Sequence, residues 1–185
     1  MTPGKLLFFC SLKIILFIVF FISSPADAKE QGHGIVSMRG EIIDSACGLD
    51  TASSDQTIDM LTQPVSEIVS EHVGLARPFS IKLVNCSLER YSNNNKPVDD
   101  WQYFSVTFDG KRDAESFGVS GNAHGVALQI RDKDGNVAIP GQALPAGKIE
   151  PGSMRIDYTL RLIGDGNELQ AGAYHTTIRY KLDYY

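Results

Sequence analysis

From residue 79 onward the chain alternates between apolar and polar side chains in short runs. In Phe79-Ser80-Ile81-Lys82-Leu83 every second residue is apolar, and Ile156-Asp157-Tyr158-Thr159-Leu160-Arg161-Leu162 repeats the pattern. A period of two places one face of an extended strand in the core and the other in water. Runs rich in β-branched and aromatic residues at 79–84, 103–108, 126–130, 156–163 and 174–184 predict strands. Turn chemistry separates them. Ser92-Asn93-Asn94-Asn95-Lys96-Pro97 predicts a loop, while Asp109-Gly110, Asp134-Gly135-Asn136 and Gly164-Asp165-Gly166-Asn167 predict tight connections. Only residues 64–72 carry helical spacing, with Val65, Ile68, Val69 and His72 on one face. Short strands between turns predict an all-β sandwich of Ig-like type.

Two segments do not suit a self-contained sandwich. Residues 29–40 are polar and glycine-containing at their start, then alternate as Val36-Ser37-Met38-Arg39-Gly40. A glycine-rich terminal strand is weak by itself, yet its apolar face needs a cover. At the other end Ile178, Tyr180, Leu182 and Tyr184 alternate up to the last residues, and no later strand follows to cover that edge. An uncovered apolar edge invites aggregation and is normally guarded. The two segments complement each other if the terminal strand of one chain fills the gap of another.

The first 28 residues read as an export signal. Lys5 precedes apolar runs at 6–9 and 14–22, and Ala26-Asp27-Ala28 forms a small-residue cleavage site. The uninterrupted apolar run is about half of the roughly 20 residues that span a bilayer, so no stable membrane span is expected after cleavage behind Ala28. No lipid-attachment cysteine follows the run. The remaining 157 of 185 residues suit one domain, divided as an N-terminal extension 29–40 and a body 41–185. The net charge moves from −5 to −6, because Lys5, Lys13 and Asp27 leave together. A mildly acidic chain without a basic cluster argues against a nucleic-acid partner. Cys10 leaves with the signal, and in an oxidising compartment Cys47 and Cys86 are expected to pair.

Four blocks carry a resemblance. They are Val36-Ser37-Met38-Arg39-Gly40-Glu41-Ile42-Ile43-Asp44-Ser45-Ala46-Cys47, Ile81-Lys82-Leu83-Val84-Asn85-Cys86, Val106-Thr107-Phe108-Asp109-Gly110, and Ala171-Gly172-Ala173-Tyr174 running on to Tyr184. In this order, behind an export signal, they resemble the pilin subunits of the chaperone–usher pathway over residues 32–185. The resemblance implies an incomplete Ig-like fold that lacks its seventh strand. A periplasmic chaperone lends a strand, and an outer-membrane usher exchanges it for the N-terminal segment of a neighbouring pilin, by β-strand addition. Carried over to this sequence, Gly34, Val36, Met38 and Gly40 form the donor strand. Gly172, Tyr174, Ile178, Tyr180, Leu182 and Tyr184 belong to the segment that borders the groove and meets the chaperone. The middle and end are most similar to the rod-terminating anchor subunit of the P pilus. Residues 29–40 are shorter than that subunit's N-terminal extension, which keeps a structural rod subunit in view.

The polar residues suggest no other chemistry. His33, His72, His124 and His175 have no paired metal spacing, and Asp132-Lys133-Asp134-Gly135-Asn136 lacks the later ligands of a calcium loop. No nucleophile elbow is present. No catalytic residue, metal or cofactor is expected. A stand-alone secreted Ig-like binding module is the alternative reading.

Overall fold

The structure is a computed structural model that describes residues 34–40, 42–92 and 94–185. The export signal therefore lies outside the described residues, as do Lys29 and His33. The chain divides into two units, Met1–Ile42 and Ile43–Tyr185. In the first, residues 34–40 adopt no helix or strand, and Ile35, Val36, Met38 and Ile42 are all exposed. Among the described residues the alternation of 36–40 finds no ladder.

The second unit begins with β1 (Gly48–Leu49), α1 (Thr51–Ser54) and α2 (Val65–Glu71). β2 (Arg77–Cys86), β3 (Arg90–Tyr91), β4 (Pro97–Val98) and β5 (Tyr103–Gly110) follow. Then come β6 (Arg112–Asp113), β7 (Ser116–Gly118), β8 (Ser120–Gly121) and β9 (Val126–Asp132). The chain closes with β10 (Gly147–Lys148), β11 (Gly152–Gly164), β12 (Tyr174–His175) and β13 (Ile178–Tyr184). One sheet of six strands runs β1-β2-β11-β9-β7-β6, and a three-stranded sheet runs β10-β5-β13. Pairs β12–β8 and β3–β4 stand apart.

The two main sheets pack face to face, as period-two patterning requires. Ile81 and Leu83 of β2, Leu128 and Ile130 of β9, and Tyr158, Leu160 and Leu162 of β11 are buried against Phe104, Val106 and Phe108 of β5. The Phe108 ring meets Tyr158 edge-on at 5.0 Å and Phe79 at 6.2 Å. Cys47 and Cys86, both buried, are joined in a disulfide that ties the chain before β1 to the end of β2.

Several local expectations change. Residues 174–184 are two strands, not one: Tyr174–His175 pairs with β8, whereas Ile178–Tyr184 pairs with β5. Between them the Thr176 hydroxyl donates to the Gly118 carbonyl at 2.9 Å, a side-chain bond that competes with the ladder. Asp109-Gly110 is not a hairpin turn. It ends β5, paired with Arg179 and Ile178, and the turn falls between β6 and β7, where Ala114 takes a positive φ of 49°. α1 was not foreseen; the Asp50 carboxylate caps it by accepting from Ala52 N at 3.0 Å. α2 forms where its spacing placed it, but only Ile68 is buried while Val65 and Val69 stay exposed. Asp132 accepts from Asp134 N and from Asn136 N and Nδ2 at 2.7–2.9 Å, so its carboxylate holds a turn. Among the described residues no cluster could hold a metal ion.

Replacing Cys47 and Cys86 together by alanine is expected to lower the unfolding free energy. The disulfide spans 39 residues, and chain entropy gives about 4 kcal/mol for such a loop. Equilibrium urea denaturation measures it; an unchanged midpoint would contradict the disulfide's structural weight.

Candidate functional site

The site is an edge that the fold leaves open. Among the described residues β13 has one strand neighbour, β5, in a register that runs from Ile178↔Gly110 to Tyr184↔Phe104. One residue further on, Tyr185 and Tyr103 exchange both backbone bonds, Tyr185 N to Tyr103 O at 3.0 Å and Tyr103 N to Tyr185 O at 2.8 Å. Hydrogen-bonded and non-bonded pairs alternate along an antiparallel ladder. Arg179, Lys181 and Asp183 therefore turn their N–H and C=O groups toward β5. Ile178, Tyr180, Leu182 and Tyr184 turn theirs the other way. The far side of β5 agrees: the Gln102, Val106 and Phe108 carbonyls accept from Ile149, Leu144 and Gly141, away from β13.

Among the described residues, no backbone hydrogen bond reaches those outward groups of Ile178, Tyr180, Leu182 and Tyr184. Side-chain direction and backbone direction both have period two, so the same four residues also point their side chains at the core. All four are only partly buried there, with Phe79, Met154, Ile156 and Ile58 partly buried beside the same core. The core is thus open along the line where another strand would lie.

The opposite bank is the stretch 45–59. It meets β13 through Tyr180. The Tyr180 hydroxyl donates to the Ser53 carbonyl at 2.5 Å, and the Ser45 hydroxyl donates to the Cys47 carbonyl at 2.7 Å. Burial pushes the phenols of Tyr174, Tyr180 and Tyr184 above their ordinary value; the Asp59 charge adds to the shift of Tyr174, and the Ser45 hydroxyl opposes that of Tyr184. The Tyr174 hydroxyl is buried without a hydrogen-bond partner among the described residues.

At the far end Trp101 is buried, with Tyr184 edge-on at 6.2 Å and the Arg90 guanidinium 4.0 Å from its ring centroid. Arg90 also pairs with Asp44 at 3.1 Å, which fixes the bank where the chain enters this unit.

The structure brings Ile178, Tyr180, Leu182 and Tyr184 onto one face of one strand. Gly172 and Tyr174 lie outside that strand, at its approach. A Cβ on Gly172 would fall 2.6–2.8 Å from the backbone of Asn122 and Ala123, so only glycine fits there. Gly34, Val36, Met38 and Gly40 belong to the other unit and are exposed. Sequence reasoning missed the bank. The Asp50-Thr51-Ala52 cap was the available signal for Ser53; Ser45 offered none, because its part depends on Tyr184 in space.

A six-plus-three-stranded sandwich with one strand missing along β13 has clear relatives. No family model matches the chain. It is 35% identical over 153 residues to the PRS fimbrial minor pilin protein of Escherichia coli, covering 82% of this chain and 77% of that one. The PAP fimbrial minor pilin protein of the same species gives the same figures. The Fimbria A protein of Serratia marcescens is 32% identical over 154 residues, 80% of this chain and 82% of that one.

The chain belongs to the fimbrial pilin family.

Solved structures show the same fold. The P pilus rod subunit superposes with a TM-score of 0.64 at 18% identity, over 76% of this pilin and 100% of that chain. A structure of a chaperone–usher pilus gives 0.68 at 22%, over 86% of this pilin and 100% of that chain. The pilin is a structural subunit of a bacterial surface pilus. Among the described residues no helix is long and apolar enough to cross a membrane.

The aromatic core predicts a pH dependence. Burial, and secondarily Asp132, push the Tyr158 phenol well above its ordinary value. The unfolded phenol ionises near pH ~10 while the folded one keeps its proton. Its contribution to stability is therefore intact below that pH and is lost as pH rises through the folded value. Urea midpoints are expected to fall between about pH 9 and 11, and less steeply in Tyr158→Phe. Equal slopes in the two proteins would contradict this.

Proposed function

We propose that this pilin polymerises by strand exchange: its open groove along β13 receives an extended segment of another subunit, and its own residues 29–40 fill a neighbour's groove. The free edge at Ile178, Tyr180, Leu182 and Tyr184 carries the proposal. Each residue there offers one N–H and one C=O to an incoming strand, beside an apolar face that is only partly buried. Added strands gain affinity from main-chain bonds and specificity from alternate side chains. The segment 34–40 supplies what such a groove takes, with Val36 and Met38 exposed on one face between Gly34 and Gly40.

A periplasmic pilus chaperone fills the groove first, and an outer-membrane usher exchanges that strand for the neighbour's. An exposed apolar edge needs a cover from the moment of folding, which supports a chaperone partner. The subunit is a minor one, as the likeness to minor pilins supports. Residues 1–28 are removed on export, 29–40 act as donor and 41–185 form the pilin body. The assembled pilus contributes to cell adhesion.

The test separates donor from acceptor. Met38 is the largest apolar side chain on the donor face, and Met38→Asp puts an unpaired charge into an apolar groove, which costs several kcal/mol. Attachment to the neighbouring subunit is expected to fail, while chaperone-bound yield stays normal. Removal of residues 182–185 is expected to abolish chaperone capture. Incorporation into sheared pili and co-purification with the chaperone measure the two. Normal incorporation of Met38→Asp, or loss of both readouts together, contradicts the donor role.

A further inference from the structure

The open side of the sandwich is spanned near the middle of β13. We propose that the Tyr180 hydroxyl and the Ser53 carbonyl form a latch across the unfilled groove, and that breaking it sets the rate at which a strand enters. The inference rests on the strand-filling reading above.

Both ends of the latch are anchored. Ser53 is 3% exposed; its Oγ accepts from Lys82 N of β2 at 2.9 Å, and its own N–H donates to the Asp50 carbonyl at 2.9 Å. Its carbonyl is thereby fixed to the six-stranded sheet. Tyr180 is held by its pairing with Phe108 of β5, whose ring lies 6.1 Å from its own. The 2.5 Å bond between them links the two sheets on the side where no strand does.

An entering strand cannot leave that bond in place. It would lie about 4.8 Å from β13 and take main-chain hydrogen bonds from Tyr180 itself. Its backbone and side chains then enter the span that the Tyr180 side chain crosses to reach Ser53. The other tyrosines differ. The Ser45 hydroxyl near Tyr184 is already spent on the Cys47 carbonyl at 2.7 Å, and the Tyr174 hydroxyl has no partner among the described residues. Tyr180 alone of the three is hydrogen-bonded to the main chain of the opposite bank.

The test uses the full mature chain, as wild type and as Tyr180→Phe, which keeps the ring and removes only the hydroxyl. Each is mixed with excess synthetic peptide of residues 34–43, and complex formation is followed by native mass spectrometry. Losing one hydrogen bond in the unfilled state is expected to speed uptake about 2- to 10-fold. The filled complexes are expected to melt at the same temperature, because the latch is absent from both. Ser53→Ala, which frees the carbonyl from its anchor at Lys82, is expected to speed uptake in the same direction. Equal uptake rates in all three proteins would overturn the latch and leave strand filling intact. A lower melting temperature for filled Tyr180→Phe would also overturn it, since the bond would then outlast filling. Uptake by none of the three would overturn the strand-filling reading, and the latch with it.

Discussion

One half-made ladder governs this molecule. β13 spends the backbone groups of alternate residues on β5 and presents the others to an empty lane. Period-two geometry binds that edge to the apolar face beneath it, so the unpaired groups and the uncovered side chains belong to the same four residues. One added strand satisfies both deficits. Among the described residues of 43–185 no strand but β5 pairs with β13.

The rest of the fold supports this defect rather than repairing it. The disulfide and β1 fix the start of the opposite bank against β2, and α1 carries that bank past Tyr180. Phe108 and Tyr158 hold the two sheets together from within. A sandwich with a missing strand thereby keeps its shape well enough to accept one. Tyrosine suits the rim of such a site. The Tyr180 ring adds apolar area to the floor while its hydroxyl finds a polar partner, the Ser53 carbonyl, on the far bank.

Much of this was legible in the sequence, and the reasons differ from element to element. Alternation in β2 and β11 was plain because one face is buried and the other wetter, whereas β5 and β9 were legible as apolar runs, buried on both faces at 104–108 and 126–128. The apolar face of β13 was legible because Ile178, Tyr180, Leu182 and Tyr184 alternate with polar residues. The break at Thr176 was not, since a side-chain bond to Gly118 ends the ladder where the local pattern still reads as strand. Nor was the end of β5: Asp109-Gly110 has hairpin chemistry, but Ile178 and Arg179 claim it for the sheet. The bank at Ser45 and Ser53 was hidden for the same reason. Its role is set by contacts with residues more than a hundred positions away, and no local pattern records them.

The most direct test of the account is amide hydrogen exchange along β13, residue by residue, before and after a strand fills the groove. In the unfilled subunit the amides of Arg179, Lys181 and Asp183 are predicted to be protected by β5, and those of Tyr180, Leu182 and Tyr184 to exchange freely. On filling, the second set is predicted to become protected while the first changes little. Uniform protection of all these amides in the unfilled subunit, or no gain at Tyr180, Leu182 and Tyr184 on filling, would contradict it.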